Sequence, residues 1–142
     1  ESCLSQAENS ANRSPLAGAR ILLVDDSRVN QLVAQQILLA AGAKVAVVDD
    51  GKKAVEATRQ QSFDLVLMDI YMPEMDGYEA TRQIRTRFSA RKLPVIAMTG
   101  GSSETDERQA AEVGMNGYLF KPIELEALFT ALRRWKMVMK DA

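Results

Sequence analysis

Apolar residues along the chain fall into short unbroken runs, separated by stretches in which they recur every three or four positions. The runs are Ile21-Leu22-Leu23-Val24, Val45-Ala46-Val47-Val48, Leu65-Val66-Leu67-Met68, Pro94-Val95-Ile96-Ala97-Met98 and Tyr118-Leu119-Phe120. Short continuous runs of this kind suit strands covered on both faces. Between them, Val29, Leu32, Val33, Ile37 and Ala40 recur at helical spacing, and Gly42 supplies a stop. Residues 52–60 are helix-compatible. After the breaker Met72-Pro73, a helix from about Asp76 to Arg87 aligns Ala80, Ile84 and Phe88. Ser103-Glu104-Thr105-Asp106 resembles a capping box opening a helix that stops at Gly114. A last helix carries the stripe Leu125, Leu128, Phe129, Leu132 and Trp135.

Strand–helix alternation of this kind implies a parallel sheet whose right-handed crossovers place helices on both faces. The expected fold is an α/β, doubly wound domain with a five-stranded parallel sheet. Its boundaries are residues 19–136. Residues 1–18 (ESCLSQAENSANRSPLAG) offer too little apolar surface to offset chain entropy and are expected to be a flexible linker or tail. Residues 137–142 are a C-terminal tail.

Composition narrows the function classes. The chain has 142 residues, 46% of them hydrophobic and 26% charged, enough for one core without metal or disulfide staples. Eighteen Lys+Arg against 19 Asp+Glu leave a net charge of −1, so nothing general draws the chain to nucleic acid or anionic lipid. Histidine is absent, which excludes His-based nucleophilic relays, His-ligated zinc and a histidine phosphodonor. The single cysteine, Cys3, precludes an internal disulfide. No apolar run approaches the ~20 residues of a membrane span, so no membrane contact is expected from this segment. It is expected to reside in the cytoplasm, and its start at Glu1 suggests excision from a longer protein. The basic residues Arg82, Arg85, Arg87, Arg91 and Lys92 are taken as a solvated face, and no nucleic-acid role is assigned to them.

In doubly wound sheets ligands bind beyond the carboxyl ends of the strands. Here those ends carry Asp25 and Asp26 after the first run, Asp69 after the third, Thr99 after the fourth and Lys121 after the fifth. Any one of them alone is more often a cap or surface residue. Asp50-Gly51, closing the second run, illustrates this as simple turn chemistry. Their joint occurrence is what carries information. Crowded carboxylates repel unless a cation joins them, and Mg²⁺, a hard ion preferring oxygen ligands, suits the set. A cation, an ammonium and a hydroxyl converging on a carboxylate suit a phosphoryl group in transfer.

The segments LLVDDSRVNQ, LVLMDIYMPEMDGYEA, PVIAMTG and GYLFKPI, in this order and spacing, resemble the receiver domains of response regulators in two-component signalling. That family has a flavodoxin-like (βα)5 fold, also termed CheY-like. The resemblance implies that Asp69 is the phosphoacceptor, and that Asp25, Asp26, Asp69 and the backbone carbonyl of Tyr71 hold Mg²⁺. It further implies that Thr99 and Lys121 contact the phosphoryl oxygens and that Thr99 and Tyr118 form the switch. Pro122, following a cis peptide bond, would shape the Lys121 loop. Tyr71 and Gly101 occupy positions that tune attack of water on the acyl phosphate, and neither can orient a water, so slow self-dephosphorylation is expected. The stretches Val24–Gln31 and Met68–Gly77 are most similar to receivers of hybrid sensor histidine kinases. The implied partners are a histidine kinase domain or a histidine phosphotransfer domain, docking beside Val29 and Val33. Such a segment would be the cytoplasmic part of a membrane-bound sensor. The alternatives are a stand-alone or output-linked regulator and a pseudo-receiver that binds without phosphorylation. A dehalogenase-like phosphatase ranks below these, because Tyr71 stands where its second Asp would be.

Overall fold

A computed structural model describes residues 18–100, 104–121, 124, 126–128 and 130. In chain order the elements are β1 (Arg20–Val24), α1 (Arg28–Ala40), β2 (Lys44–Val48), α2 (Gly51–Gln60), β3 (Leu65–Asp69), α3 (Gly77–Arg85), β4 (Val95–Thr99), α4 (Glu104–Glu112) and β5 (Gly117–Phe120). The strands form one sheet in the order β2-β1-β3-β4-β5, every pair parallel. The chain winds outward from β1 to β2, then reverses across β1 to β3. The crevice outside that reversal lies between the ends of β1 and β3, the two strands that deliver the acids.

Alternation along each strand sends side chains to two apolar layers. Leu22, Val24, Val66, Met68, Val95 and Ala97 face Ala54 and Val55 of α2, Ala80 and Ile84 of α3, and Ala110 of α4. On the other face Ile21, Leu23, Leu65, Leu67, Ile96 and Met98 pack with Ala34 and Leu38 of α1 and with Leu128. Leu125, Phe129, Leu132 and Trp135 of the expected last helix, and Ser103 of the expected cap, lie outside the described residues.

Two sequence expectations change here. The apolar stripe on α1 is not its core face. Gln31, Ala34 and Leu38 are buried, whereas Val29 is 69% exposed and Leu32 and Val33 are 45% and 44% exposed. The second run, expected to be buried, is an edge strand paired only with β1, and its residues are half-buried.

Arg85 also departs from the solvated face assigned to it. Its Nε donates to the Gly114 carbonyl at 2.9 Å, Nη1 to the Leu93 carbonyl at 2.7 Å and Nη2 to Asn116 Oδ1 at 2.8 Å. Asn116 Oδ1 in turn accepts from the Val95 N–H at 3.0 Å. One guanidinium thus ties the end of α3 to the starts of β4 and β5. Burial lowers its pKa to about 10, which leaves it charged at neutral pH. Arg85→Ala strips these partly buried carbonyls of their donor, and is expected to destabilise the fold by about 2–4 kcal/mol in urea unfolding.

Candidate phosphoacceptor and metal site

The carboxyl end of β1 is fixed by the start of α1. Ser27 caps the helix, its side chain accepting from the Asn30 N–H. The Ser27 N–H itself donates to Asp25 Oδ1 at 2.9 Å, and Gln31 Nε2 donates to the Asp25 carbonyl at 2.6 Å. This explains why Gln31, a polar residue, occupies the buried face of α1. Asp25 is held at 2% exposure, while Asp26 faces solvent.

Asp69 ends β3, the central strand, and is also 2% exposed. The loop after it turns sharply. Glu74 adopts a positive φ of 68°, and the Met75 N–H donates to the Pro73 carbonyl at 2.8 Å, a γ-turn. Asp76 then caps α3 by accepting from the Glu79 N–H at 2.9 Å, and the Gly77 N–H returns to the Ile70 carbonyl at 2.8 Å. A side chain at Gly77 would press into the Asp69 carbonyl, so this position demands glycine through close approach. Sequence reading passed over Gly77, Gln31 and Ser27. The Asp-Gly pair just after a breaker, and a polar residue in line with Ala34 and Leu38, were the available signals.

Lys121 follows β5, its N–H donating to the Thr99 carbonyl at 2.6 Å. Its Nζ lies 2.9 Å from Asp69 Oδ1 and 3.3 Å from Asp25 Oδ2. The other carboxylate oxygen, Asp69 Oδ2, is buried with no hydrogen-bond partner among the described residues. Asp25, Asp26 and Asp69 each offer an oxygen within 4.8 Å of the others. Thr99 is buried at the end of β4, one residue beyond Met98, the register partner of Asp69. Tyr118 is half-buried on β5, its ring edge-on to Phe120 with centroids 5.3 Å apart. Tyr71 is exposed. Pro122 and Gly101 lie outside the described residues.

Electrostatics at the site are frustrated. Burial pushes the Asp69 pKa up to about 6, the Lys121 hydrogen bond opposes it, and the Asp25 and Asp26 charges add to it. For Lys121, burial works against the ammonium, but Asp69 and then Asp25 outweigh it and raise its pKa. An acid with a raised folded pKa contributes stability that is present below its unfolded pKa, ~3.9. That stability is lost as pH climbs through about 6. In EDTA, raising the pH from 5 to 7.5 is therefore expected to cost the wild type about 1 kcal/mol relative to Asp69→Asn, measured by urea melts at both values. A divalent cation should cancel this loss. The buried orphan oxygen and the all-oxygen donor set fit a hard cation.

The geometry agrees with what comparison shows. Residues 21–133 match the family model for the response regulator receiver domain. This chain belongs to that family. The receiver is 41% identical over 119 residues to the sensor protein GacS of Pseudomonas syringae pv. syringae, covering 82% of this chain and 13% of that protein. It is 40% identical over 149 residues to probable histidine kinase 6 of Oryza sativa subsp. japonica, covering 92% of this chain and 15% of the other. The receiver thus spans about one seventh of these curated relatives. Among solved structures it is similar to the receiver domain of sensor histidine kinase PA1611 of Pseudomonas aeruginosa PAO1, which has a magnesium ion coordinated in its active site cleft. The identity is 42% and the TM-score 0.76, covering 84% of this chain and 98% of that one. The receiver is therefore homologous to those of hybrid sensor histidine kinases. Among its described residues no helix is long and apolar enough to cross a membrane.

Proposed function

We propose that this receiver accepts a phosphoryl group from a phosphohistidine onto Asp69, as one station of a phosphorelay run by a hybrid histidine kinase. The observation that carries this reading is the Asp69 carboxylate, with one oxygen on the Lys121 ammonium and the other buried, without a hydrogen-bond partner among the described residues, beside two more acids. An Asp69 oxygen forms the bond to phosphorus as the phosphorus–nitrogen bond of the donor imidazole breaks. Lys121 moves with one phosphoryl oxygen, and the Thr99 hydroxyl donates to another. Asp25, Asp26, Asp69 and the Tyr71 carbonyl would hold Mg²⁺, which when bound neutralises charge on the phosphoryl oxygens. Thr99 drawn toward the new group leaves room for Tyr118, which shifts the population of surfaces around β5.

The exposed Val29, Leu32 and Val33 on α1, beside the site, would receive the donor or acceptor histidine domain in the cytoplasm. The test is incubation with Mg²⁺ and acetyl phosphate, then with phosphorylated histidine-bearing partners, read as a mass gain of one phosphoryl group. Absence of label in the wild type under both donors would favour a binding module instead. Once formed, the acyl phosphate is expected to outlive seconds by a wide margin, because the exposed Tyr71 ring screens it without orienting a water. Decay of purified phospho-protein without a phosphatase measures this directly.

A further inference from the structure

At the amino-terminal edge of the sheet, opposite the acids, a cleft of about 290 Å³ opens between the end of α2 and the connection from α3 to β4. Its apolar wall is Phe63, Phe88 and Leu93, and its rim carries Arg59 and Lys92. No Asp or Glu occurs between Glu79 and Glu104, while Arg87 and Arg91 flank the cleft-lining Phe88 and Lys92 in sequence. Among the described residues no carboxylate pairs with Arg87, Arg91 or Lys92. The nearby acids are already engaged. Glu56 lies 3.9 Å from Arg59, and Asp64 accepts from the Arg20 N–H at 2.8 Å.

The geometry points to a docking site for an acidic peptide segment of a partner protein, inserting one apolar side chain between Phe63 and Phe88 while its carboxylates meet Arg91, Lys92 and Arg87. Charge complementarity supplies the sign of the partner. The recessed phenylalanines supply its shape: both are half-buried, so they receive a side chain rather than project one. A membrane surface would call for protruding apolar residues here. Those that protrude, such as Val29, Leu32 and Tyr71, belong to α1 and the acceptor loop instead. Nucleic acid would call for exposed aromatic faces, which this cleft lacks. The inference stands apart from the phosphotransfer reading, since it uses none of the acceptor residues.

The test uses the 142-residue chain and short synthetic peptides carrying one Leu, Phe or Trp flanked by Glu and Asp, with a matched set in which Lys replaces the acids. Amide shifts at Phe63, Phe88 and Lys92 are expected with the acidic set alone. Affinity is expected to fall about tenfold in a chain carrying Arg91→Glu and Lys92→Glu, and again on raising the salt. Both changes are at exposed positions, so folding and acetyl phosphate labelling at Asp69 stay at wild-type levels. No shift with any acidic peptide, equal binding of the Lys-flanked set, or equal binding by the double variant would overturn the inference. So would preferential binding to phosphatidylserine vesicles, or self-association of the chain through this edge.

Discussion

Asp69→Ala is expected to lose Mg²⁺-dependent labelling by acetyl phosphate, falling by at least about 100-fold because the nucleophile itself is gone. The same exchange removes the buried Oδ2, which has no hydrogen-bond partner among the described residues, and one of three crowded carboxylates. It leaves Lys121 with Asp25 at 3.3 Å, so the ammonium keeps a counter-charge. The variant should therefore fold at least as well as wild type without a divalent cation, and lose most of the stabilisation that Mg²⁺ gives the wild type. Loss of reaction with intact folding separates a reacting group from a structural one. Labelling of the alanine variant at wild-type rate would place the acceptor elsewhere and end the phosphotransfer reading.

Gly77→Ala should damage folding as well as labelling, for a steric reason. Alanine at the first position of a helix ordinarily helps by up to ~1 kcal/mol. Here its methyl would drive into the Asp69 carbonyl and lie 3.0 Å from Ile70 Cα, backbone that cannot swing aside as a flexible side chain could. The expected outcome is a loss of about 2 kcal/mol in urea unfolding. A fall of about tenfold in labelling rate should accompany it, because the displaced carbonyl belongs to Asp69, the proposed acceptor. Gly100→Ala is the control, since among the described residues no heavy atom lies within 4 Å of a side chain there. Wild-type stability and rate in Gly77→Ala would mean that the acceptor strand tolerates displacement.

The sheet was legible because the strands it buries on both faces carry unbroken apolar runs of four residues, a pattern few other structures require. The convergence of polar residues was legible because parallel winding brings Asp25, Asp69, Thr99 and Lys121 to one end whatever the details of packing. Where side-chain pattern and burial part company, sequence reading failed. Val29, Leu32 and Val33 form a helical stripe, yet the core accepts the thinner face of Ala34 and Leu38, with Gln31 bonded to the Asp25 carbonyl. Periodicity alone cannot tell an apolar face kept for a partner from one turned inward. Arg85 was placed with its basic neighbours because its acceptors, at Leu93, Gly114 and Asn116, are remote in the chain or buried in a turn. The edge position of β2 was hidden by the same logic, since strand order is not written in local composition.

The left-handed backbone at Glu74 has a mechanical consequence. An L-residue held there sits roughly 1–2 kcal/mol above an ordinary conformation, and the Met75–Pro73 bond across it, the Asp76 cap and the Gly77–Ile70 bond restrain it. The loop after Asp69 is thus spring-loaded: loosening these restraints lets residue 74 relax toward ordinary backbone. Glycine at position 74 would slacken that spring while leaving every charge at the acceptor in place.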